Sequence, residues 1–208
     1  MAIISSLAIG KAKKSAGNLR YQTVKGRTIV AQKPVHVANP NTKKQQAVRG
    51  RMSNVVKLYR ALNGIVSKSI KVKNKYASIY NTFCSENIKN MPNEVKETVF
   101  DLVQALDKPI IYSNGTIPAP TVSAPSGGYI VNFEQALPYL DVGDYAIKTY
   151  FSEISETFVT EEKVLSQSDL ENGDVSIGAH IEDSKDAAFY LVKADGRDSS
   201  TQGYYIDE

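Results

Sequence analysis

The sequence has no tryptophan, one cysteine and two histidines in 208 residues, and its first acidic residue is Glu86. A single thiol, Cys84, excludes an intramolecular disulfide framework and any multi-thiolate metal site. With only His36 and His180 in support, zinc chemistry and nucleophilic triads have almost no material, so no metal, no cofactor and no enzymatic activity is expected. No apolar run approaches the roughly 20 residues that cross a bilayer, and no membrane partner is expected. The opening MAIISSLAIG is apolar but carries its lysines after the apolar stretch, the reverse of a secretory signal, which points to a product made in the cytoplasm. What is present argues for a folded chain: 42% hydrophobic residues, 12 Tyr and 6 Phe, enough for one large domain or two small ones.

The net charge of +3 conceals a segregation. Residues 1–85 hold 17 of the 25 Lys and Arg and no acid, a charge of +17; the remainder holds the other 8 and all 22 acids, a charge of −14. A block of one sign repels itself and calls for compensation. Nucleic-acid phosphate is one compensator. The acidic half of a neighbouring copy is the other, in the head-to-tail geometry that closes into rings or continues as tubes.

Within the basic half, alternation over 18–24 and 28–30 around Lys25-Gly26 predicts a β-hairpin that Pro34 ends. The run Asn39-Pro40-Asn41-Thr42 predicts a turn and helix cap. Val48, Met52, Val55, Tyr59, Leu62 and Val66 recur at spacings of 4, 3, 4, 3 and 4, which predicts an amphipathic helix with these six as its core stripe. Lys43, Arg49, Lys57 and Arg60 fall on its solvent arc, and Gly64 is a place for a kink or an end. A second helix is expected over 74–90. A third is expected from Asn93 as cap, with Val95, Val99, Leu102 and Leu106 on one face and Pro109 as stop.

Beyond residue 107 the texture becomes β-like, with runs at 110–113, 129–133, 145–151, 175–181, 189–193 and 203–206 spaced as in a sandwich. Residues 114–128, with three prolines and three glycines, read as a loop outside the core. Asp195-Gly196 reads as the last turn. The expected fold is therefore α+β in two parts: a basic hairpin and helical region over 1–107, and an acidic, antiparallel β-sandwich-like domain over 108–208.

Gly10-Lys11-Ala12-Lys13-Lys14-Ser15-Ala16-Gly17 lacks the spacing of a phosphate loop and reads as a flexible basic arm. Asp141/Asp144, Glu161/Glu162 and Asp195/Asp198 match no calcium loop and read as solvated turns or contact charges. Cys84, His36 and His180 read as ordinary structural residues. The residues expected to make assembly or phosphate contacts are Lys11, Lys13, Lys14, Arg20, Lys25, Arg27, Lys43, Arg49, Lys57 and Arg60, acting together through charge.

Three stretches carry a family likeness. The first is Gly17-Asn18, Val24-Lys25-Gly26, Pro34 and Asn39-Pro40-Asn41-Thr42 before Gln45, Gln46 and Arg49. The second is Tyr80-Asn81-Thr82-Phe83-Cys84-Ser85-Glu86-Asn87, and the third is Asp195-Gly196, Ser199, Ser200, Gln202 and Tyr204. The combination resembles a group of uncharacterised proteins of about this length from Bacteroidetes and their crAss-like tailed bacteriophages, from which this chain departs in its extreme charge. The resemblance implies a virion structural protein in the neck, tail or capsid, made in the host cytoplasm, and it brings no catalytic residues. With the charge segregation, it leads to an expected ring-forming head-to-tail connector component, a homo-oligomer that contacts other virion proteins. The alternative is a non-specific nucleic-acid-binding protein with an acidic appendage; a small hydrolase is disfavoured for want of a histidine constellation.

Overall fold

A computed structural model describes residues 2–4, 14–24, 26–34, 36, 40–72, 77–124, 128–179, 184–196 and 198–204. The chain is α+β and divides into two compact units, Met1–Thr42 and Lys43–Glu208.

In the first unit, β1 (Ala2–Ile4), β2 (Lys14–Ala16), β3 (Leu19–Val24) and β4 (Arg27–Gln32) form an antiparallel sheet in the order β1-β4-β3-β2. The expected hairpin is there: Val24 pairs with Arg27, leaving a two-residue turn in which Gly26 takes φ 78°, a conformation that favours glycine. Thr23 and Thr28 face each other across the strands, their hydroxyls 3.3 Å apart. Residues 14–16, expected in a flexible arm, pair instead with residues 19–21 as β2. The rest of that arm lies outside the described residues.

The second unit opens with α1 (Lys43–Ser69), starting directly after the predicted cap region and running through Gly64 without ending. Its buried face is rotated from the expected stripe. Val55, Leu58, Leu62 and Val66 are fully buried, but Val48 and Met52 are 58% and 37% exposed, and Gly50 and Asn54 are buried in their place. The cause is a close crossing by residues 92–98. A Cβ on Gly50 would sit 1.8 Å from the Asn93 carbonyl oxygen, so only glycine admits the crossing. The Asn54 amide donates to the carbonyls of Pro92 (3.1 Å) and Glu94 (2.6 Å), and its oxygen accepts from the Lys96 N–H (3.0 Å). This strap replaces the helical turn expected after Asn93. The helix there, α3 (Val99–Gln104), starts later, with Thr98 as cap in a reciprocal capping box with Asp101. Between them, α2 (Ile79–Asn87) follows a Ser78 cap and realises the helix expected over 74–90, so far as residues are described.

Two sheets complete the unit. In chain order the elements are β5 (Thr121–Ser123), β6 (Gly128–Asn132), β7 (Tyr145–Ser152), β8 (Thr157–Val164), α4 (Gln167–Asn172), β9 (Asp174–Ala179), β10 (Ser184–Val192) and β11 (Gly203–Tyr204). They give an antiparallel β11-β10-β7-β8 sheet and an antiparallel β5-β6-β9 sheet. Side-chain alternation on the central strands divides the core. Ile147, Phe151, Ala188, Tyr190 and Val192 pack on the helices with Leu58, Leu62, Phe83 and Leu102. Ala146, Phe189 and Leu191 face the other way and pack with Tyr129, Val131, Val175 and Ile177 of the three-stranded sheet. Helices and strands thus share one core, so the boundary expected at 107/108 falls inside a single unit. The antiparallel sandwich is present, with helices covering one of its faces.

Two further expectations need correction. Residues 110–113 are extended but outside both sheets, and the proline-rich 114–128 stretch is not peripheral, since Ile117 is 2% exposed and β5 adds a strand. Side chains hold the extended segment where a ladder would. The Asn87 oxygen accepts from Ile111 N–H (2.8 Å), and the Gln202 oxygen accepts from Tyr112 N–H (2.5 Å) and Ser113 N–H (3.2 Å). The Gln202 amide donates to Ile110 O (2.6 Å), Ser69 Oγ donates to Tyr112 O (2.6 Å), and Ser199 Oγ donates to Ser69 O (2.7 Å). This polar latch closes the core.

Candidate functional site

Of the ten cations singled out by sequence, Lys11, Lys13 and Lys25 lie outside the described residues. Lys14, Arg20 and Arg27 are exposed on the sheet of the first unit. Register decides which of them meet. Arg27 pairs with Val24, which has the same parity on β3 as Arg20, so both guanidinium groups belong to one face, whereas Lys14, paired with Tyr21, belongs to the other. Thr28 is the one buried side chain among those described in this unit, and Leu19 and Val24 are both 42% exposed. Seven cations and no acid occur in residues 1–42. Among the described side chains, the sheet is thus a cationic surface with little core.

The second cluster is on α1. Arg49, Met52, Ser53, Val56, Lys57 and Arg60 line a shallow groove of about 440 Å³. At 100° per residue, Arg49, Ser53, Val56 and Arg60 stack in one row over three turns, on the side of the helix away from Leu58. The groove has an apolar floor and a cationic rim. Lys43, expected to act with these three, lies outside it. Lys57 is only partly exposed, because its ammonium donates to the carbonyls of Lys96 and of Glu97, the latter at 2.6 Å. Arg51, not singled out by sequence, donates to Asn93 Oδ1 at 2.7 Å.

On the other side of that anchor lies a depression of about 430 Å³ lined by Val95, Lys96, Glu97, Asp101, Gln104 and Ala105. Val95 was expected in the core and is 59% exposed. Sequence reasoning missed this acid-bearing patch because it treated residues 93–98 as helix. The periodicity of Val95, Val99 and Leu102 hid the strap, and the signal that could have revealed it was Thr98 three residues before Asp101, a capping pair.

The acidic pairs divide by environment rather than forming solvated turns throughout. Asp144 is 2% exposed and accepts from the N–H groups of Asp141 and Ala194, both at 2.8 Å. Glu161 lies 3.3 Å from the ammonium of Lys148, a fully buried lysine whose nitrogen stands 4.9 Å and 4.8 Å from the ring centres of Tyr129 and Tyr150. Glu162 pairs with Lys68 at 3.3 Å. Burial outweighs a hydrogen bond from Tyr80 and pushes the Cys84 thiol up, away from reactivity at neutral pH. His36 is exposed, and His180 lies outside the described residues.

Among the described residues, no group of three or more His, Cys, Asp or Glu side chains could hold a metal ion, and no helix is long and apolar enough to cross a membrane. No family model, curated protein sequence or solved structure matches the chain.

Proposed function

We propose that this chain is a structural subunit of a tailed-phage particle, a neck or tail component that assembles head-to-tail by opposite charge. The observation that carries the reading is the sheet of the first unit, whose residues 1–42 bear seven cations and no acid, joined to a unit with 18 basic and 22 acidic residues. Strands with so few buried side chains among those described gain little stability alone and gain more when another surface covers them. An acid-bearing surface of the next copy is the complement, and repeated head-to-tail contacts of this kind build rings. The resemblance to proteins of crAss-like phages supports the same role, with packaged DNA and other virion proteins as neighbours.

The test has two arms. Mass spectrometry of gradient-purified particles from the native source should find the chain as a stoichiometric component. Arg20→Glu with Arg27→Glu should abolish growth of the purified chain into species larger than a dimer while leaving its helical circular dichroism unchanged. Absence from particles, or association indifferent to both substitutions, contradicts the proposal. Retention of DNA by the wild-type chain without any self-association establishes the nucleic-acid-binding alternative instead.

A further inference from the structure

The α1 groove and the acid-bearing depression are two halves of one surface. Lys57 lines the first, and its ammonium is bonded to the backbone of Lys96 and Glu97, which line the second. The strap is pinned from below as well, by Asn54 and by the contact at Gly50. The surface is therefore rigid, with its features at fixed separation.

Its two halves complement each other. The groove has Met52 and Val56 as floor and Arg49, Lys57 and Arg60 as rim. The neighbouring patch presents the exposed Val95 beside Glu97 and Asp101, with Lys96 as its one cation. Apolar side chains left open on a rigid helical face and rimmed by charge are a recognition feature. The two halves are side by side, so a single partner covers both at once. A second copy turned by a two-fold axis places its Glu97 and Asp101 opposite the cationic rim of the groove, and its own rim opposite the same two acids of the first copy.

We infer that this surface is an isologous dimer interface, occupied by the same surface of a second copy of the chain. It lies wholly within the second unit and is distinct from the head-to-tail contact made by the sheet. The particle component would then be built from pairs.

Cysteines introduced in place of exposed side chains test the geometry. Met52→Cys and Val95→Cys, combined in one full-length chain and oxidised under dilute conditions, should give a closed product of two chains, twice the 22.8 kDa protomer, that does not grow with time. Cys84 is buried and does not compete. A ladder of three, four and more chains shows that the same patches meet head-to-tail and overturns the two-fold arrangement; no cross-link at all overturns the interface. Charge reversal supplies an independent readout. Arg60→Glu and Glu97→Lys should each weaken dimerisation on the order of tenfold or more, and the double variant should restore it. Two weak single variants without rescue overturn the pairing of these halves. If dimerisation fails while Arg20 and Arg27 still control association and the chain is still found in particles, this inference falls and the proposed function stands.

Discussion

Gly50 and Asn54 are the residues on which the helix face turns, and neither carries a hydrophobic signal. Replacing Gly50 by alanine puts a methyl into the Asn93 carbonyl, so the strap must lift; the expected loss is about 1–3 kcal/mol in chemical denaturation, against a gain of up to about 1 kcal/mol for Gly64→Ala, a helix-interior position where an added Cβ meets nothing. Equal effects at the two glycines would contradict the crossing. Asn87, Ser199 and Gln202 hold the extended segment 110–113, and Ser200 Oγ accepts from Leu191 N–H at 2.8 Å. Gln202→Ala leaves two amide hydrogens without their acceptor and should cost roughly 1–3 kcal/mol. Their job was not legible in the sequence, because the fold alone brings the partners together: Gln202 reaches Tyr112 across 90 residues and Ser199 reaches Ser69 across 130. A pH effect belongs here as well. Burial acts to raise the Asp198 carboxyl, but hydrogen bonds from the Thr116 hydroxyl and amide and from the Ser199 amide, together with nearby Lys71, hold it below the ordinary value. A depressed carboxyl stabilises the fold fully above the unfolded value of about 4, and that contribution disappears as pH falls through the lower folded value. The stability gap between wild type and Asp198→Asn should therefore be present at pH 7 and shrink on acidification below about pH 4. A gap that widens with acid would contradict the bonding described.

At the scale of elements, periodicity located the long helix but misplaced its face. The six-residue stripe and the observed face share Val55, Leu62 and Val66, with the half-buried Tyr59 packed against the same core; Leu58 was omitted and Val48 and Met52 were included. Hydrophobicity cannot tell an apolar residue in the core from one waiting for another surface. Leu58→Ala should cost roughly 2–5 kcal/mol, and Val48→Ala should stay within about 0.5 kcal/mol, measured by urea denaturation. A large loss at Val48 with none at Leu58 would restore the stripe read from the sequence. The hairpin was readable because its turn chemistry is local, with Gly26 at positive φ between alternating strands. β8, with its run of charges, and the six-residue α4 were not, since short half-exposed elements have weak patterns and are fixed by neighbours distant in the chain. The third helix starts later than expected for a related reason: an apolar spacing that suited a helix from Asn93 onward was overridden over residues 93–98 by the backbone crossing at Gly50.

For the whole molecule, charge by position said more than net charge. The sign change near residue 85 does not mark the fold boundary, which falls at Thr42, so the basic half is divided between a sheet and the long helix of the other unit. Salt bridges within the second unit, such as Lys68 with Glu162, absorb part of that charge, while Arg20, Arg27 and Arg60 remain on exposed surfaces. Opposite blocks attract over a Debye length of about 8 Å at physiological ionic strength, and association built on them weakens as salt rises. The most direct measurement is the sedimentation mass of the full-length chain over a series from low to high salt, with and without DNA. The account predicts species larger than the 22.8 kDa protomer at low salt, without any nucleic acid, that dissociate progressively as salt is added. A chain that stays at 22.8 kDa at high concentration and low salt, and gains mass only when DNA is present, would contradict it.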